Sequence, residues 1–377
     1  MSLQARAMDL LGVWIKASRY FCYLTAESTS MNPEELTPNQ QAITILASLI
    51  AIGLVFGSLI VHAWVLVAWQ RVMSWGGWLR DRVYDKIGLI DLFMCLVFIA
   101  VAQIAVAVIF RNEIRGSDPS GPVPSRASEA VLEPAIILPA GYGSPVARPT
   151  DSKPAIAESP WFMVGATFSL VAGCIASALW TLGRTHANPR LLGMSSGNLA
   201  RDLMVGVLVF LWITPLVLMV NVGVSQMTEV QYEHPVIDSL RGRSWAFPLL
   251  FLSAVIFAPL WEEYAFRFLL VNWLDTLRRH GLDLKRLVFG QVALATNADT
   301  EPSEGYPPWW IAIVSGLLFG LAHFEYGVSW VPLVVLGTVL ARVYQLQRSI
   351  LPCFLIHALF NSLAMVGFAF ELFVKSP

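Results

Sequence analysis

Eight long apolar stretches, at 42–69, 89–110, 161–183, 203–224, 245–272, 309–323, 330–343 and 351–374, constrain this chain more than any other feature. Crossing about 30 Å of hydrocarbon takes roughly 20 helical residues. In lipid every backbone N–H and C=O must be satisfied within the segment, so these stretches read as helices. The sixth and seventh are short, and are expected to be buried in a bundle or extended at their ends. Apolar residues make up 56% of the 377-residue chain and charged residues 14%, with a mean hydropathy of +0.62. Soluble domains run near 45–50% apolar and about 25% charged. The expected fold is therefore all-α: a polytopic membrane bundle of about eight transmembrane helices. Trp69, Trp75, Trp78, Trp161, Trp245, Trp309 and Trp310 lie at or near segment ends, where amphipathic rings favour the headgroup level.

The same composition excludes other classes. A net charge of −1 gives no basic field for nucleic acid, and the apolar content excludes disorder for most of the chain. Cys95, Cys174 and Cys353 sit inside apolar runs and Cys22 stands alone; with no CxxC pair or Cys/His zinc spacing, they read as small hydrophobic fillers. Lys16 and Arg19 interrupt the first apolar stretch, so residues 1–27 are not expected to be a cleavable signal peptide. Residues 8–24 read instead as an amphipathic helix on the membrane surface.

The chain divides into an N-terminal surface helix and tail (1–41), two transmembrane helices (42–115), a linker (116–160), a third helix with its loop (161–202), and a C-terminal core (203–377). The linker holds nine of the 22 prolines and has no apolar period. Proline fixes φ and removes a donor, so this segment is expected to be extended and flexible. A mixed polar insertion at 275–308 is expected to contain a short helix around 283–293. Connections after segments 1, 3, 5 and 7 hold 12 Lys and Arg residues against 11 in the longer opposite set, which favours both termini outside.

Ionisable groups in a bilayer are costly, so each one inside a span needs an explanation, structural or functional. Segment 5 contains Trp261-Glu262-Glu263-Tyr264-Ala265-Phe266-Arg267. Adjacent helical residues lie about 100° apart, so Glu262 and Glu263 are expected to serve different partners. One can face a reaction centre while the other ties a neighbouring helix or Arg267. Pro259 removes an intrahelical bond and permits a kink beside the acids. Segment 6 ends Phe319-Gly320-Leu321-Ala322-His323, and segment 8 carries His357-Ala358-Leu359-Phe360-Asn361. The i, i+4 spacing puts His357 and Asn361 on one helical face. Two acids, two imidazoles and an amide on three spans lower their desolvation cost by sharing one centre. Such a centre suits hydrolysis: a carboxylate base, imidazoles to orient water or hold a metal, and donors for an oxyanion.

The motifs Glu262-Glu263-x-x-x-Arg267, Phe319-x-x-x-His323 and His357-x-x-x-Asn361, with Ala258-Pro259-Leu260 before the acids and Arg348-Ser349-Ile350 before the last, resemble in order those of the CPBP family of intramembrane proteases, also called CAAX prenyl protease 2 or ABI. The resemblance spans 203–363. It implies an all-helical bundle around a conical cavity in the membrane. Glu262 would activate water shared with His323, His357 and Asn361 would stabilise the oxyanion, and Glu263 and Arg267 would brace the helices. Phe319 would support the site. Glu262, His323 and His357 would also suffice as a zinc set, although the zincin HExxH is absent.

The leading expectation is an endopeptidase of the cell membrane, multi-pass, acting on a membrane-associated protein or peptide in the lipid bilayer, with no nucleic-acid partner. A transport or binding protein using the same polar centre, or an inactive scaffold, are the alternatives. His323, near the far end of segment 6, sits at a depth that fits Glu262 poorly unless that helix starts deeper or the orientation is reversed.

Overall fold

The computed structural model describes residues 37–67, 87–110, 160–186, 199–227, 244–290, 308–370 and 373. The surface helix expected at 8–24 and the linker up to residue 159 lie outside the described residues. The described chain is helical: α1 (Pro38–Val67), α2 (Leu89–Ile109), α3 (Pro160–Thr185), α4 (Leu199–Met227), α5 (Phe247–His280), α6 (Leu284–Phe289), α7 (Trp309–Leu321), α8 (Trp330–Gln347) and α9 (Ile350–Phe370). Among the described residues, seven of these are long and apolar enough to cross a membrane; α7 is shorter and α6 is a single polar turn and a half. The protein is thus a multi-pass helical membrane bundle. The short helix expected at 283–293 is α6, which ends at Phe289 within the described residues because Gly290 leaves the helix at φ 66°.

Helix α5 organises the bundle. Its middle packs against α3 and α9, and its C-terminal half against α7 and α8, while α4 covers α8 and α9, and α1 packs against α4 and α9. At 34 residues it is about 51 Å long, well beyond the roughly 30 Å of hydrocarbon. It continues to His280 instead of stopping near 272, because Asp275 pairs with Arg278 (2.9 Å) and Arg279 (2.7 Å) on the helix's own polar face. Gly281, at φ 58°, ends it in a conformation that costs residues with a Cβ.

Two π-helical segments, Ser253–Phe257 and Tyr264–Val271, flank the central turn Ala258–Glu263. The first follows from Pro259. The N–H of Ala258 bonds to the carbonyl of Ser253, five residues back. Residue 259 would be next to donate, to Ala254, but proline has no N–H. The Ala254 carbonyl instead accepts the side-chain amide of Asn361 from α9, at 2.7 Å.

Depth is set by contacts between helix ends. Arg348, buried at a φ of 50° between α8 and α9, donates to Asn272 Oδ1 (3.4 Å) and reaches Asp275 Oδ2 (3.5 Å) on α5. Asn272 in turn donates to the Tyr344 hydroxyl (2.8 Å). Counting 1.5 Å per residue away from this junction, Glu262 lies about 15 Å along α5 and His357 about 14 Å along α9. They share one level. Helix α7 begins at the same end, since Gln345 of α8 donates to the Pro308 carbonyl, and it runs beside α8 as far as the latter's first residue, Trp330, whose carbonyl a Cβ on Gly320 would strike. The mismatch in depth expected for His323 does not keep it from the acid: its ring reaches Glu262 from the end of α7. Glycines let α7 and α8 approach closely enough for this. A Cβ on Gly316 would strike the backbone of Thr338, and one on Gly337 would lie 3.0 Å from the Gly316 Cα.

Candidate active site

The central turn of α5 places Glu262 and Glu263 in the core, both buried, with Arg267 one turn on and wholly enclosed. Arg267 Nε lies 3.0 Å from Glu263 Oε2, an i, i+4 ion pair with neither side chain exposed to solvent. Its guanidinium carbon sits 4.7 Å from the Phe319 ring centroid, and Nη1 donates to Ser315 Oγ at 3.4 Å. Sequence reasoning misses Ser315 as part of this cluster. A signal for it exists, because it is the one hydroxyl in the otherwise apolar run of α7.

His357 enters from α9 and touches both acids. Its Nδ1 lies 2.9 Å from Glu263 Oε1 and its Nε2 lies 3.6 Å from Glu262 Oε2. The expectation that the two carboxylates serve different partners is corrected here. The two imidazole nitrogens point away from each other, so one ring seated between side chains 100° apart meets both. Beside a carboxylate already paired with Arg267, Nδ1 must be the donor, because an ionised carboxylate only accepts.

His323 follows the last turn of α7 and is partly exposed, at 22% of its side chain. Its Nδ1 lies 2.9 Å from the Phe319 carbonyl. A carbonyl cannot donate, so Nδ1 carries a proton. The ring's Nε2 is 3.9 Å from Glu262 Oε2. Phe319 is the common wall. Its ring packs edge-on against Phe266 (5.3 Å between centroids) and His357 (5.5 Å), and at a tilt against His323 (5.0 Å).

Glu262 Oε2 is therefore buried, faces two imidazole nitrogens beyond hydrogen-bond length, and has no hydrogen-bond donor among the protein groups. Asn361 lies one helical turn beyond His357, with its amide nitrogen on the Ala254 carbonyl. Among the described residues no group of three or more His, Cys, Asp and Glu side chains is arranged to hold a metal ion, including the set Glu262, His323 and His357.

Fold and site together define a polytopic membrane protein with a buried acid–imidazole centre on α5, α7 and α9. Residues 244–363, which contain every residue of that centre, match the family described as Type II CAAX prenyl endopeptidase Rce1-like, a match that supports CPBP family membership. Membership indicates proteolytic activity of the CAAX endopeptidase type on a membrane-associated substrate. No curated protein and no solved structure matches the chain.

Proposed function

We propose that the protein is an intramembrane endopeptidase in which Glu262 activates a water molecule. The observation that carries this reading is Glu262 Oε2, buried without a hydrogen-bond partner among the protein groups and 3.9 Å from His323 Nε2. A water oxygen about 2.8 Å from each subtends roughly 90° between them, close to its own H–O–H angle. It donates one hydrogen to each acceptor and keeps a lone pair for attack.

In the reaction Glu262 takes a proton from this water as its oxygen bonds to the scissile carbonyl carbon. The carbonyl π pair moves to oxygen, giving a tetrahedral oxyanion. His357, protonated and held by the Glu263 carboxylate at Nδ1, donates from Nε2 to that oxyanion, joined by the second amide hydrogen of Asn361. Collapse re-forms the carbonyl and breaks the C–N bond, and the proton on Glu262 passes to the leaving amine. Arg267 pairs with Glu263, and Phe319 fixes the spacing of the two rings. The bond cleaved lies in a membrane-associated peptide or protein, because the acid is buried mid-bundle and the partly exposed His323 marks its open side.

The test is hydrolysis of peptide reporters, prenylated and unprenylated, by purified protein in proteoliposomes. Glu262→Gln keeps the shape of the side chain and loses the base, so turnover should fall by about 10²-fold or more with the thermal transition unchanged. Turnover by a folded Glu262→Gln protein would end the assignment. A wild-type activity abolished by chelator and restored by zinc would instead make Glu262, His323 and His357 metal ligands.

A further inference from the structure

We infer that the turn joining α5 to α6 is a binding surface for anionic lipid headgroups. Residues 275–286 carry four permanent cations, Arg278, Arg279, Lys285 and Arg286, against two carboxylates. One of those, Asp275, is buried and already faces Arg278, Arg279 and Arg348. The other, Asp283, caps α6 and pairs with Arg286 at 3.3 Å. The surface is left with an excess of positive charge.

Between these cations the chain turns two leucines outward. Leu282 is 87% exposed and Leu284 is 75% exposed. The turn is not loose. Trp273 donates its indole N–H to the Leu287 carbonyl (3.2 Å), Arg184 of α3 donates to the Phe289 carbonyl, and Leu287 is buried. The leucines are therefore held in place just past the end of a helix long enough to cross a membrane and to project beyond its hydrocarbon. Apolar side chains that dip past the headgroups, ringed by Lys and Arg with long apolar stems, form the pattern of an interfacial contact. Charge complementarity selects the partner as anionic lipid over zwitterionic. This end of α5 is also the one that the Lys and Arg distribution assigns to the cytoplasmic leaflet.

The experiment uses the full chain in detergent, with retained lipid measured by native mass spectrometry after exposure to phosphatidylglycerol or phosphatidylcholine. Wild type should retain phosphatidylglycerol preferentially. Lys285→Gln and Arg286→Gln, both at exposed positions remote from the acid–imidazole centre, should each cut that preference about fivefold with peptide hydrolysis unchanged. A spin label at Leu282→Cys should be relaxed by oxygen more than by a water-soluble nickel chelate. Equal retention of the two lipids, an unaltered preference in both variants, or a label relaxed mainly by nickel would overturn the inference. Loss of phosphatidylglycerol to millimolar inorganic phosphate together with equal lipid retention would make this a phosphate site instead.

Discussion

Glu263 illustrates how one buried side chain carries two tasks. Its Oε2 faces Arg267 and its Oε1 accepts from His357, so it both neutralises an enclosed cation and fixes the proton of an imidazole. The two tasks separate by substitution. Arg267→Ala leaves Glu263 Oε2 buried without its cation, at a cost of up to about 3–5 kcal/mol, and should show as a lowered melting temperature and poor yield. The double variant Glu263→Gln with Arg267→Met removes both charges and should recover much of that stability. It should not recover activity, because a neutral amide at position 263 no longer supports a protonated His357. Full peptide hydrolysis by the stable double variant would show that Glu263 only braces the helices. The i, i+4 spacing of Glu263 and Arg267 makes their pairing legible in the sequence. Which acid meets which nitrogen of His357 is not, since that depends on how α9 is rotated against α5.

Among the elements, α5 departs furthest from a regular helix, and Pro259 accounts for its first π segment. Asn361 stands in for the donor that proline lacks. Asn361→Ala should thus carry a structural cost, on the order of 1–3 kcal/mol for an unsatisfied carbonyl, in addition to its catalytic one. Adding Pro259→Ala supplies a backbone N–H for the Ala254 carbonyl and should restore part of the stability but none of the turnover. Chemical denaturation of the four proteins in the cycle checks this; additive stabilities would mean the two residues are not coupled. The helices themselves are legible to within a few residues, because lipid requires continuous apolar runs. Legibility ends where polarity and helicity part company. Helix α5 continues to His280 through a self-paired polar turn, and α8 continues to Gln347 with Tyr344, Gln345 and Gln347 all buried. The π segments leave no mark in the sequence beyond the proline.

At the scale of the whole molecule, the residues of the proposed reaction come from 244–363, and the long linker contributes none of them. Its prolines and lack of apolar period favour tolerance of its removal, and loop-closure entropy changes slowly with length. Replacing residues 117–158 with a short Gly/Ser connector should leave melting temperature and peptide hydrolysis near wild type. Loss of hydrolysis with an unchanged melting temperature would assign the linker to substrate recruitment. The junction of Asn272, Tyr344 and Arg348 has a different consequence. It aligns Glu262 with His357 by protein contacts measured from one end of the bundle, not by the position of either helix in the bilayer. Lengthening the lipid acyl chains therefore shifts where a substrate meets the centre without shifting the centre's own parts. In vesicles of graded chain length KM should vary while kcat holds steady, as for a tool whose jaws are set at the handle and whose workpiece rides at a different height.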